Sequence, residues 1–278
     1  MRWVWILAVS AAWGQTFDLT PGTVRQGETI KLRGTKDVTQ VRLGSRTVPL
    51  FAEPDGGRLG LMPVPVDHQP GKYPVEFLDA GGGVIHTATA TVLAARFPTQ
   101  NIVVSPSKKA LEPLPGEMEA VAALRKAVTG VRHWEEPFLS PVPGCMNSPF
   151  GVQRLHNGEY TGNYHRGVDL RGPAGRPIRA VAGGVVRIAR MFNLHGGTVG
   201  IDHGQGLVSM YLHMSKLGAA EGAVVKKGDV IGNVGATGFA TGPHLHWSLY
   251  VNGVPVEPRQ WVKLRACGAG PAKKKGRK

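Results

Sequence analysis

His244-Leu245-His246-Trp247-Ser248-Leu249-Tyr250-Val251 places two imidazoles at the head of an apolar run. The run reads as a strand over 246–251, and side chains at i and i+2 of a strand leave the same face. His244 and His246 can therefore look into one cleft while Leu245 packs behind them. Similar β stretches, rich in glycine, lie upstream at 178–186, 198–202, 207–212 and 230–234. Tight turns are expected at Gly183-Gly184, Gly196-Gly197 and Gly204-Gln205-Gly206. Residues 145–264 should form a mostly β domain without a good helix.

A second cluster precedes these strands, His165-Arg166-Gly167-Val168-Asp169. If that stretch is extended, the even offset lets His165 and Asp169 share a face, and Gly167 removes bulk where the chain passes the site. Two imidazoles and a carboxylate with one open position are what a catalytic zinc requires. Magnesium or calcium would want more oxygen ligands than a segment with six acidic residues readily gathers. The helical His-Glu-x-x-His motif, which brings its own glutamate base, is absent. Histidine is the natural substitute, since it exchanges protons near neutral pH. His244 is free for this if His165, Asp169 and His246 bind. His213, in Tyr211-Leu212-His213-Met214-Ser215, ends an apolar strand and taken alone reads as a structural histidine. His156, His195 and His203, beside turns, carry no signal of their own.

Together the motifs resemble the lysostaphin and LytM-like zinc metallopeptidases over about 148–258. The pieces are Ser148-Pro149-Phe150-Gly151, Asn157-Gly158, His165-Arg166-Gly167-Val168-Asp169-Leu170, Tyr211-Leu212-His213-Met214-Ser215, Gly235-Ala236-Thr237-Gly238 and Thr241-Gly242-Pro243-His244-Leu245-His246. The resemblance implies a β-rich fold with a narrow groove, of the LytM-like duplicated hybrid motif. It also implies cleavage of peptide bonds in peptidoglycan stems or cross-links. Zinc would be held by His165, Asp169 and His246, with His213 and His244 assisting catalysis; His213 thus gains a role that its own surroundings do not give it.

Ahead of this segment, 15–95 carries apolar pairs at period two: Ile30 and Leu32, Val41 and Leu43, Val48 and Leu50, Leu59 and Leu61, Val75 and Phe77. Turn signals such as Pro54-Asp55-Gly56-Gly57 and Gly81-Gly82-Gly83 separate them at the spacing of an antiparallel sandwich. An immunoglobulin-like domain, serving as spacer or binding module, is expected. Residues 96–144 read as a connector with one helix, in which Glu117, Met118, Val121, Leu124 and Val128 recur before Gly130 stops the pattern. Its seven prolines point to extended linkers on both sides.

The chain has 278 residues and a net charge of +14. From Cys145 onward it carries 18 Lys/Arg against 6 Asp/Glu, and residues 15–144 carry 14 against 13. The excess therefore lies on the second half and attracts anionic partners, such as anionic envelope polymers. The basic tail, 265–278, reads as a solvated end. Met1-Arg2-Trp3, the apolar run 4–13 and Ala12-Trp13-Gly14 form a signal-peptide pattern over 1–14. The run is shorter than the roughly 20 residues that span a bilayer. The expectation is a protein secreted across the inner membrane to the periplasm or beyond, with no transmembrane segment after cleavage, peptidoglycan as partner and no nucleic acid. An oxidising compartment permits a Cys145–Cys267 bridge, although two free thiols fit the sequence equally. Two other readings compete: a catalytically silent LytM-like module that activates a cell-wall amidase, and an envelope-binding adhesin led by the front domain. The connector could also cover the groove and make an enzyme latent.

Overall fold

The computed structural model describes residues 17–268, so the expected signal peptide and the lysine-rich end of the tail lie outside the described residues. The chain is mainly β. At the front, one sheet runs Asp18–Thr20, Thr29–Gly34, Arg58–Pro63, Phe51–Ala52. A second runs Thr23–Arg25, Val84–Leu93, Gly71–Leu78, Gln40–Leu43, Arg46–Pro49. Alternation fills the space they share: Ile30, Leu32 and Met62 from the first sheet meet Val41, Val48, Val75 and Phe77 from the second. Leu59 and Leu61 depart from the half-buried expectation. Their strand is buried on both faces, because Met62 points into the front core while Leu59 and Leu61 join the core of the following domain. Asn252 Nδ2 donates to Leu61 O at 2.7 Å, and the Gln260 amide bonds both N and O of Thr29.

The second domain is built on a sheet ordered Met146–Ser148, Val168–Arg171, His244–Val251, Leu207–Met214, Gly197–Gly204, Gly184–Met191, Val224–Val225. Two small sheets flank it. The Leu207–Met214 strand is buried throughout, as central strands covered on both faces must be. The single strand expected over 178–186 is instead two, Pro177–Arg179 and Gly184–Met191. Gly183 and Gly184 turn the chain where a Cβ would strike His133 O or Asp202 O.

The connector differs most from expectation. Its helix is Glu117–Arg125 and ends before Val128, which is half exposed. Val121 and Leu124 pack on Ile188, Val208, Met210, Leu212 and Tyr250. The flanks are not free linkers. Thr99–Ile102 pairs in parallel with Gln153–His156, and Trp134, Phe138 and Val142 are buried in the second core. The prolines shape a packed path, since the apolar residues between them have a core to enter.

Cys145 and Cys267 form a disulfide that closes 122 residues. Around it Arg171 N donates to Cys145 O at 2.9 Å and Cys267 N to Met146 O at 2.8 Å, so the bridge ties the chain's end to the sheet edge. A double Cys145→Ser, Cys267→Ser variant should lose about 4 kcal/mol of stability on the loop-closure scale. Denaturant titration of the full chain checks this, and an unchanged midpoint would refute it.

Candidate metal centre

Register places the site. Asp169 lies directly opposite His246 in the antiparallel ladder, His246 lies opposite Leu212, and His213 follows Leu212. His165 opens the three-residue loop 165–167, which Gly167 completes ahead of the Val168–Arg171 strand. A Cβ on Gly167 would come within 2.5 Å of Trp247 O and 2.8 Å of His246 Nε2, so only glycine lets the His165 loop lie against the His246 strand.

Three electron-pair donors converge: His165 Nε2, Asp169 Oδ1 and His246 Nδ1, each 3.0 Å from the other two. Tetrahedral zinc with bonds of about 2.0 Å has ligand–ligand edges of about 3.3 Å, so these atoms can hold such an ion with small adjustment. The remaining polar atoms are spoken for, which orients the donors. His165 Nδ1 donates to Pro149 O at 2.8 Å, leaving Nε2 with its lone pair inward. His246 Nε2 pairs with Ser248 Oγ at 2.8 Å, which leaves Nδ1 as the inward donor. Asp169 Oδ2 accepts from Arg154 Nη2 at 2.9 Å, leaving Oδ1 to face the imidazoles.

His213 and His244 stand beside this triangle with ring centroids 5.0 Å apart. Each donates Nδ1–H to a backbone carbonyl, His213 to Thr237 O at 2.9 Å and His244 to Gly242 O at 2.8 Å. Both therefore turn Nε2 towards the groove. His213 holds this pose with φ +63°, a left-handed backbone uncommon for a residue with a Cβ.

Burial, then the neighbouring imidazoles of His246 and His244, pushes the His213 pKa down to about 3. Burial is also the main cause that brings His246 to about 4. Burial opposes the charge of Asp169, but His165 and then His246 hold its carboxyl well below the usual range. At neutral pH the site thus offers the Asp169 carboxylate and neutral imidazoles at His213 and His246, and for Asp169 and His246 this is the protonation state that metal ligation needs.

The five residues singled out in the sequence come together in one groove of about 430 Å³. Several partners gave no sequence signal. Arg154 reaches Asp169 from a neighbouring hairpin, and the connector supplies Gln100, Ile102, Met118 and Arg125 to the groove lining. Ser248 could have been found, since it follows His246 by two on the same strand face. Of the histidines that carried no signal, His203 is a buried structural group between Gly183 O and Ser209 Oγ, whereas His156 and His195 line the groove.

Residues 163–258 match the family model of peptidase family M23. This segment is a LytM-like M23 peptidase domain, as the motifs implied. A stretch of 113 residues, 41% of this chain, is 43% identical to the DD-carboxypeptidase/endopeptidase Mpg of Neisseria meningitidis. Peptidoglycan DD-endopeptidase ShyC of Vibrio cholerae is 39% identical over 114 residues, again 41% of this chain. The chain spans only 26% of the length of each of these relatives. The crystal structure of a Pseudomonas aeruginosa protein assigned to peptidase M23 superposes with a TM-score of 0.66 at 28% identity. That likeness covers 85% of this chain and 94% of the other, so it extends well beyond the M23 segment.

Replacing Arg154 with methionine should weaken metal binding roughly 10- to 100-fold by freeing the Asp169 carboxylate to rotate. Competition with a chelator measures this, and unchanged affinity would show that Arg154 has no part in orienting the ligand. The depressed histidines also set a pH dependence. His213 and His246 bind protons more weakly folded than unfolded, so the unfolded chain takes up more protons as pH falls. Metal-stripped protein should hold its stability above about pH 6.5 and lose it progressively towards about 4 and 3, the folded values of the two groups. Melting curves between pH 7 and 4 test the sign; a midpoint that rises on acidification would contradict it.

Proposed function

We propose that the protein is a zinc-dependent endopeptidase that hydrolyses peptide bonds in bacterial peptidoglycan stems or cross-links. The observation that carries this reading is the set of three donors 3.0 Å apart beside two imidazoles whose Nε2 atoms face the same groove. The M23 match of the segment and the names of the relatives that share it support the substrate class. His165, Asp169 and His246 would hold the metal. Zinc held there supplies Lewis-acid polarisation and a lowered water pKa.

The chain's own groups then divide the proton work. A neutral imidazole that donates through Nδ1 presents a lone pair at Nε2, so His213 and His244 both begin as acceptors. Burial resists a charge on His213, whereas His244 turns Nε2 to the groove 3.7 Å from the Asp169 carboxylate. We assign His244 as the group that takes the proton of the attacking water and returns it to the leaving amine. His213, within the same wall, accepts a hydrogen bond from the water at Nε2 and orients it for attack.

In the groove Arg125, Arg154 and Arg166 outnumber Asp169, which suits a substrate bearing free carboxylates. The front sheets are read as an immunoglobulin-like module, and the protein as secreted to the periplasm or beyond. Among the described residues, no helix is long and apolar enough to cross a membrane.

The test is digestion of purified peptidoglycan with mass analysis of the fragments. Wild type should contain about one zinc per chain and release new amino termini from stems or cross-links. His246→Ala should lose both metal and activity, while His244→Ala and His213→Ala should keep the metal and lose about 10²- to 10⁴-fold in kcat. Full activity of zinc-free His246→Ala would end the proposal.

A further inference from the structure

Glu117 opens the connector helix, yet its carboxylate is fully buried, and among the described residues its ion-pair partner is His195. It faces a row of donors on the turn after the Gly184–Met191 strand. Oε1 accepts from His195 Nδ1 at 2.6 Å, His195 N at 2.8 Å and Leu194 N at 3.1 Å. Oε2 accepts from Leu114 N at 2.9 Å and Asn193 N at 3.1 Å. Burial opposes ionisation here; the His195 hydrogen bond and then the amides outweigh it and bring the carboxyl down to about 2. Successive backbone N–H groups aimed at one point form an anion nest, and the connector fills it from the far side of the groove wall.

The turn that Glu117 holds is the support of His213. His195 O accepts from His213 N at 3.2 Å, and Leu194 O accepts from Phe239 N at 2.9 Å. Gly197 N, at the turn's end, donates to Thr237 Oγ1 at 2.9 Å. Thr237 O is the acceptor that fixes the His213 ring. Both the backbone and the imidazole of His213, in its left-handed conformation, are thus referred to a turn whose own amides are organised by one carboxylate from 76 to 78 residues away.

We propose that Glu117 is a positioning residue for His213, so that the connector completes the catalytic wall and is not a cover over it. This rests on the reading of His213 as a catalytic group. The chain needs the carboxylate in particular: glutamine offers one acceptor oxygen and would turn an N–H₂ towards the amides of 193–195. Glu117 itself lies outside the groove lining, and His195 is the residue of the pair that lines it.

Two measurements on full-length protein decide the matter. The first is independent of activity: amide hydrogen exchange in wild type and Glu117→Gln. Exchange should speed up at least tenfold at Asn193, Leu194 and His195 and also at His213, whose amide does not touch Glu117, while Asp169 and His246 stay within twofold. An unchanged His213 amide overturns the inference, whether or not the protein proves to be a peptidase. The second is kinetic, on a soluble peptidoglycan peptide. Glu117→Gln should keep its zinc and its KM within about twofold and lose at least tenfold in kcat, and adding Glu117→Gln to His213→Ala should lower kcat no further. Independent, multiplying losses would overturn the proposal, as would a kcat within twofold of wild type. If wild type cuts no peptidoglycan peptide, the peptidase reading fails and the exchange result alone judges Glu117. Should Glu117→Gln not fold, Glu117→Asp, which keeps the charge but falls one methylene short of the turn, takes its place in both measurements, with the same results supporting or overturning the proposal.

Discussion

Asp169 and His246 face each other across an antiparallel ladder, and the site depends on that register. A slip of one residue would turn both side chains to the opposite face, burying them among apolar groups and exposing Val168 and Trp247. The register is held from both sides. Leu245 and Trp247 point into the core, where an apolar face admits no polar substitute, and the edge strand is tied to the end of the chain by the Cys145–Cys267 bridge. Gly167 adds a steric constraint, since the His165 loop can reach the triangle of donors only by lying almost against the backbone of the His246 strand.

Given that register, the electrostatics follow from saturation. Buried polar atoms must be paired, and here every outward atom of the three donor residues finds a partner: Pro149 O, Ser248 Oγ and the Arg154 guanidinium. What is left over is a set of lone pairs that point at one another. Such an arrangement is unfavourable for the polypeptide alone and becomes favourable with a cation among the donors, which is why the donor geometry speaks for a metal more strongly than composition does.

The modules are less separate than their sequence patterns suggest. Leu59 and Leu61 belong by chain position to the front sheets and by packing to the second core, and Trp134, Phe138 and Val142 turn the connector into part of that core. The connector also contributes a strand, Thr99–Ile102, to the hairpin that carries Arg154, and a helix that walls the groove. A substrate would therefore meet a surface made by residues on both sides of position 145.

The sequence by itself determined the β character of the chain, and it singled out His165, Asp169, His244 and His246 as candidates through period-two alternation, ligand type and even offsets along extended chain. His213 entered only through the resemblance of its motif to a known family, since its own surroundings read as structural. The sequence misjudged the connector, because proline content reports how the backbone bends and says nothing about whether the apolar residues between the prolines will find a core. It left the cysteines open, because a bridge depends on the distance between residues 122 apart. Only the tertiary structure decided that Arg154 would hold Asp169 and that Glu117 would hold the turn under His213. Both are pairings across loops, where partner choice is set by the way elements pack and leaves no periodic trace in the chain.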